Sequence, residues 1–191
     1  MFMTNLTIMK NILIFSVLVL LGQGINSQVF CSYSGNQCAN GLSNATPYAT
    51  GVVSSICSSL GVAFIQTYQG NVGNACASTY QNQPIITYNP TFLGNLYYQN
   101  QWAPISVLAH EVGHHVNGHS SWYGSFKHSW TRELEADFVS GYALYKMGAS
   151  LNDALYASRV MFSAMGSSSH PDTPKRMDAI AQGYSQAALG F

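Results

Sequence analysis

The pentapeptide His110-Glu111-Val112-Gly113-His114 carries two imidazoles four residues apart, with a carboxylate between them. On an α-helix, positions i and i+4 share one face about 6 Å apart along the axis, so both rings can converge on one ion. Glu111 is rotated about 100° from His110, which sets its carboxylate beside that ion rather than on it. An H-E-x-x-H helix thus offers two metal ligands and a general base for activating water. The plain alternative is a solvated, charged helical face. Gly113 costs about 1 kcal/mol relative to alanine inside a helix. Its presence implies that another backbone, expected to be the sheet's, comes close there.

A catalytic zinc takes three protein ligands and keeps one position open. Extension of His114 by x-x-Gly-x-x-His would need glycine at 117 and histidine at 120, where the chain has Asn117 and Ser120. The other candidate is Glu133, in Arg132-Glu133-Leu134-Glu135-Ala136-Asp137. A loop of about ten residues lets a second helix fold back beside the first. Glu133 then completes the site, and Asp137, one turn on, can accept a hydrogen bond from a ligand imidazole. Glu135 lies on a different face and suits a surface or supporting contact.

His110-Glu-Val-Gly-His114, Glu133-x-Glu-Ala-Asp137 and His170-Pro171-x-x-x-x-Arg176, in that order, resemble the motif series of the HtpX and CAAX prenyl protease family of gluzincin metallopeptidases. Asn74-Ala75-Cys76-Ala77 is similar to the Asn-Ala-x-Ala strand those enzymes carry ahead of the active-site helix. The resemblance spans about residues 60–185. It implies a zincin-like fold, one catalytic zinc ion and endopeptidase activity. It further implies that His110, His114 and Glu133 are ligands, Glu111 is the base, and His170 and Arg176 lie near the site. Many members of that family are embedded in membranes, whereas this chain offers no apolar segment long enough to span one.

The other histidines have plainer readings. His119 sits where a helix C-terminus favours a cationic side chain. His115 points away from His110, and His128 precedes the next helix. His170 stands in a Ser- and Pro-rich loop, either at the surface or facing the site. In the second case it would cap the open metal position or donate to the oxyanion of the reaction.

Elements able to position these groups can be read from periodicity and punctuation. Thr46-Pro47 reads as a cap and first turn for a helix ending at Gly61. Strands are expected at Val62–Tyr68, Ala75–Tyr80 and Ile85–Tyr88, and a short helix at Thr91–Tyr98. Helices follow at roughly 104–119, 129–147, 151–164 and 174–188. Early strands and late helices make an α+β domain, a small mixed sheet followed by an active-site helix and a mainly helical C-terminal half.

Composition narrows the functional classes. The chain has 191 residues, 47% of them hydrophobic and 7% charged, with no net charge, so no basic footprint for nucleic acid exists. No charged residue falls between Lys10 and Glu111, which confines charge chemistry to the second half. Lys10, the apolar run Ile12–Leu21 and small residues after it read as a signal peptide over 1–27. That run is too short to span a bilayer, which needs about 20 residues. The remainder, 28–191, reads as one exported domain, periplasmic or secreted. Cys31, Cys38, Cys57 and Cys76 favour two disulfides in an oxidising compartment. Three pairings are possible, and proximity favours Cys31–Cys38 with Cys57–Cys76. The expected activity is zinc-dependent hydrolysis of peptide bonds, on a polypeptide added as an extended strand to the edge near Ala75–Tyr88. The competing readings are a secreted zinc-binding or interaction module with a capped or inactive site, and a surface-adhesion protein.

Overall fold

A computed structural model describes residues 31–32, 38, 41–121, 123–161 and 164–190. The signal peptide expected over 1–27 lies outside the described residues. The front half builds β1 (Cys31–Ser32), β2 (Ser43–Asn44), α1 (Pro47–Leu60), β3 (Gln66–Gln69), β4 (Ala75–Tyr80), β5 (Gln83–Tyr88) and α2 (Pro90–Gln99). The back half builds α3 (Trp102–Val116), α4 (Ser129–Lys146), α5 (Leu151–Ala154), α6 (Tyr156–Met161) and α7 (Thr173–Ala188), with a 3-10 turn at Tyr123–Phe126. This is the expected α+β arrangement.

Local chemistry explains most boundaries. The Thr46 side chain caps the start of α1 by accepting from the Ala49 N–H, Pro47 occupies the first turn, and Gly61 ends the helix at φ 67°. Asn89 and Asp172 cap α2 and α7 in the same way. A hairpin joins β4 to β5 through Gln81 and Asn82, both left-handed, at φ 49° and 60°. The strand expected from Val62 is shorter, because only Gln66–Gln69 pair with β5. The helix expected over 151–164 is broken into α5 and α6 at Leu155.

The sheet runs in the order β1-β4-β5-β3-β2, with β3 parallel to β5 and the other pairings antiparallel. Both sides of β5 are therefore paired. The outer edge of β4, expected to be open to a peptide, carries β1 opposite Cys76 and Ala77. The main core lies where α1, the sheet and α3 meet, built on Val53, Ile56, Ile86, Val107, Leu108 and Val112. Nearly every residue of α3 from Ala103 to His114 is buried, as for a helix enclosed on all sides. A smaller core of Leu144, Ala154 and Ile180 seats α4, α5 and α7.

The cysteines correct the expected pairing. Cys38 is bonded to Cys76, with Cα atoms 5.8 Å apart, and Cys57 is a buried free thiol. The bond joins the segment ahead of β2 to the middle of the sheet, because β4 brings Cys76 to where Cys38 is wholly buried. Cys57 faces the core from α1, so proximity along the chain misled. No helix among the described residues is long and apolar enough to cross a membrane.

Candidate metal centre

Helices α3 and α4 lie side by side because their backbones are allowed to touch. A Cβ at Gly113 would meet the Ala136 carbonyl oxygen at 2.8 Å, so the close neighbour there is α4 and not the sheet. This approach brings Glu133 and Asp137 of α4 over His110 and His114 of α3. Ligand atoms of His110, His114 and Glu133 all lie within 4.8 Å of one another, and all three residues are buried. Such a group could hold a metal ion.

Proton placement around the imidazoles follows from their neighbours. Asp137 Oδ1 lies 2.8 Å from His110 Nδ1 and, as an ionised carboxylate, can only accept. His110 therefore presents its Nε2 to the site. That atom stands 3.0 Å from His114 Nε2 and 3.4 Å from a Glu133 oxygen. Burial works against a charged His110, but Asp137 and Glu133 outweigh it and raise its pKa to about 9. Burial and the neighbouring His110 push His114 well below the ordinary histidine range. Burial opposes ionisation of Glu133 too, yet His110, His114 and Arg176 bring it down to about 2. Two imidazole nitrogens and a carboxylate packed this tightly need a shared cation, either a proton or a metal.

Two buried carboxylate oxygens strengthen the fit to a metal. Glu111 Oε1 and Glu133 Oε2 make no hydrogen bond. Glu133 Oε2 has ionic neighbours, Arg176 at 3.3 Å and His110 at 3.4 Å, whereas Glu111 Oε1 carries the cost of an unpaired buried polar atom. The other Glu111 oxygen, Oε2, accepts the Ala77 N–H of β4 at 2.7 Å. Burial raises Glu111 to about 8, and a cation beside it would favour the ionised form.

Arg176 of α7 supports the cluster from behind. Its guanidinium donates through Nε and a terminal nitrogen to both Asp137 oxygens, at 2.6 and 2.8 Å, and stands 3.3 Å from Glu133. It is 1% exposed, so its charge is neutralised by carboxylates rather than by water. The main carboxylate partner of Arg176 is thus Asp137. His170 faces the site, with Nε2 3.8 Å from a Glu133 oxygen and Nδ1 2.8 Å from the Ser169 hydroxyl.

Sequence reasoning missed His119. Helix α3 ends in a turn where the left-handed Gly118 donates to the His115 carbonyl and His119 N–H donates to the His114 carbonyl. This 6→1 and 5→2 pairing places the residue after the glycine against the residue five before it. Here it sets the two rings together, with Nδ1 of His119 2.9 Å from Nδ1 of His114. The far nitrogen of His119 is 2.7 Å from Glu135, which Lys127 also holds at 2.7 Å. Burial lowers His119, which Glu135 only partly offsets. The signal was present as Gly118-His119 just beyond the helix, five residues after His114. His115 bonds the Ile85 carbonyl of β5 at 2.8 Å, and His128 caps α4 by accepting from the Trp130 N–H. A cleft of about 520 Å³ lies between α4 and α7, lined by Glu135 and not by His110 or His114.

No family model, no curated protein and no solved structure matches the chain.

Proposed function

We propose that this chain is an exported zinc-dependent endopeptidase of the HtpX and CAAX prenyl protease type. One observation carries the reading: the buried His110, His114 and Glu133 triad stands beside a carboxylate, Glu111, that keeps one oxygen unpartnered. A purely structural metal site has no use for that group. Two imidazoles and a carboxylate are a catalytic zinc donor set, which leaves a position open. A bound zinc would supply a Lewis acid for the scissile carbonyl and would acidify water. Glu111, steadied at Oε2 by the Ala77 N–H, takes the proton of the attacking water at Oε1. It then returns that proton to the leaving amine. Asp137 and Arg176 hold His110 in register throughout. His170 stands near enough to act as a cap or an oxyanion donor.

The Cys38–Cys76 bond supports export, as does the leader-like start of the chain. An extended polypeptide has Ser78–Tyr80 available on β4, which pair with β5 on one side among the described residues. A second reading, a capped site, draws on β1, which sits opposite Ala77 on that same strand. The test is digestion of casein or a peptide library with and without chelator, beside metal analysis. One zinc per chain, chelator-sensitive cleavage and an inert Glu111→Gln variant that keeps its zinc are expected. Cleavage that survives both chelator and Glu111→Gln overturns the proposal. Zinc without cleavage supports the capped module.

A further inference from the structure

We propose that His119 and Glu135 are positioning residues of the metal site, fixing through an imidazole relay which nitrogen His114 offers to the ion. The inference rests on the metal-centre reading and deepens it. The relay runs inward from the surface. Glu135 is ion-paired with Lys127 at 2.7 Å and so accepts on its carboxylate, which puts the proton between it and His119 on His119 Nε2. A neutral imidazole with a proton on Nε2 has a lone pair on Nδ1. That lone pair faces His114 Nδ1 at 2.9 Å, so His114 carries its proton there. The remaining lone pair of His114, on Nε2, then points at His110 and Glu133, where the ion would sit. Each proton is placed by the acceptor at the outer end.

The two ligand imidazoles are therefore supported differently. His110 donates directly to the Asp137 carboxylate, which Arg176 clamps. His114 donates to a neutral ring, with the carboxylate one ring further out and held by Lys127. The first arrangement is fully buried, whereas Glu135 and Lys127 are partly exposed at 34% and 39%. The strength of an inner ligand is thereby coupled to a pair of side chains at the protein surface.

The experiment measures zinc affinity by competition with a chromophoric chelator, on wild type, His119→Leu, His119→Gln and Glu135→Ala. Loss of a group that orients a ligand typically costs about 10–100-fold in metal affinity. His119→Leu, which cannot accept, should show a loss of that order. His119→Gln, whose amide can accept from His114 and donate to Glu135, should recover part of it. Glu135→Ala alters only a partly exposed side chain, so it tests the relay even where His119→Leu fails to fold. Imidazole 15N–1H spectra of the zinc-loaded wild type should show His114 protonated at Nδ1. Wild-type affinity in both His119→Leu and Glu135→Ala, or a His114 proton on Nε2, overturns the relay while leaving the metal centre intact. Wild-type protein that binds no zinc overturns both.

Discussion

At the scale of single residues, the buried acids in the cluster are held by different, partly shared sets of partners, and so each should fail differently. Glu111 is bonded to a backbone N–H on one side and open on the other. Glu111→Gln preserves the shape and the first bond, so zinc and fold should persist while turnover falls 10²-fold or more, as is typical when a general base is lost. Glu133→Ala removes one carboxylate of the group that could hold a metal and, on the proposed reading, should release it, read directly by metal analysis of the dialysed protein. Asp137 is a subtler case. Burial pushes its pKa up, but Arg176 and His110 outweigh burial and hold it below the ordinary 3.8. A depressed pKa means that ionised Asp137 contributes stability fully present above about pH 4 and lost as pH falls through its folded value. Denaturant titrations should therefore show metal-free wild type losing stability more steeply than Asp137→Asn below about pH 4. Parallel slopes would mean that the Asp137 charge is not stabilised by folding. His170→Ala separates its two roles on a generic substrate: raised activity marks a cap, and a loss of about 10²–10³-fold marks an oxyanion donor. Unchanged activity assigns it neither.

At the scale of elements, the site depends on how closely three helices approach. Gly113 lets α3 meet α4, and Gly141 and Gly183 do the same for α4 and α7. A Cβ at Gly141 would run into the Ile180 carbonyl, and one at Gly183 into the Phe138 carbonyl. That second crossing carries Arg176 onto Asp137. Gly141→Ala should cost about 1–3 kcal/mol through overpacking, measured by urea denaturation, and should weaken zinc binding with it. Stability equal to wild type would mean the crossing relaxes freely. The helices and the α+β order were legible because caps, glycines and prolines mark their ends in the sequence. The two-helix constellation was legible too, since i, i+4 spacing is a property of the helix itself. Distances between elements were not. Gly113 announced a close approach without saying by what, and His119 entered the site through a turn that periodicity does not describe. The break at Leu155 has no proline or glycine to announce it.

At the scale of the whole molecule, the Cys38–Cys76 bond closes a loop across 38 residues of the front half. Chain-entropy arguments assign about 4 kcal/mol to a loop of that size. Replacing both cysteines with serine should lower stability by that order, and non-reducing peptide maps should recover Cys38 linked to Cys76. A map linking Cys57 to either would overturn the assignment. The pairing was beyond sequence because it depends on which strand passes Cys38, and four cysteines permit three solutions.

The two described hydrogen bonds between the sheet and α3 have one property in common. Ala77 offers its N–H to Glu111, and Ile85 offers its carbonyl to His115. Both are main-chain groups, which every residue but proline possesses in full. The charged back half demands particular polar side chains at particular places. The uncharged front half makes its described hydrogen bonds to α3 through groups without identity and otherwise packs apolar side chains against it. Its surface, rich in Asn, Gln and Tyr, can therefore drift, or be rewritten for a new target, as long as the strand path is kept. Mutational tolerance should accordingly divide the chain into two regimes at about Glu111, permissive on the exposed faces before it and strict on the buried polar faces after it.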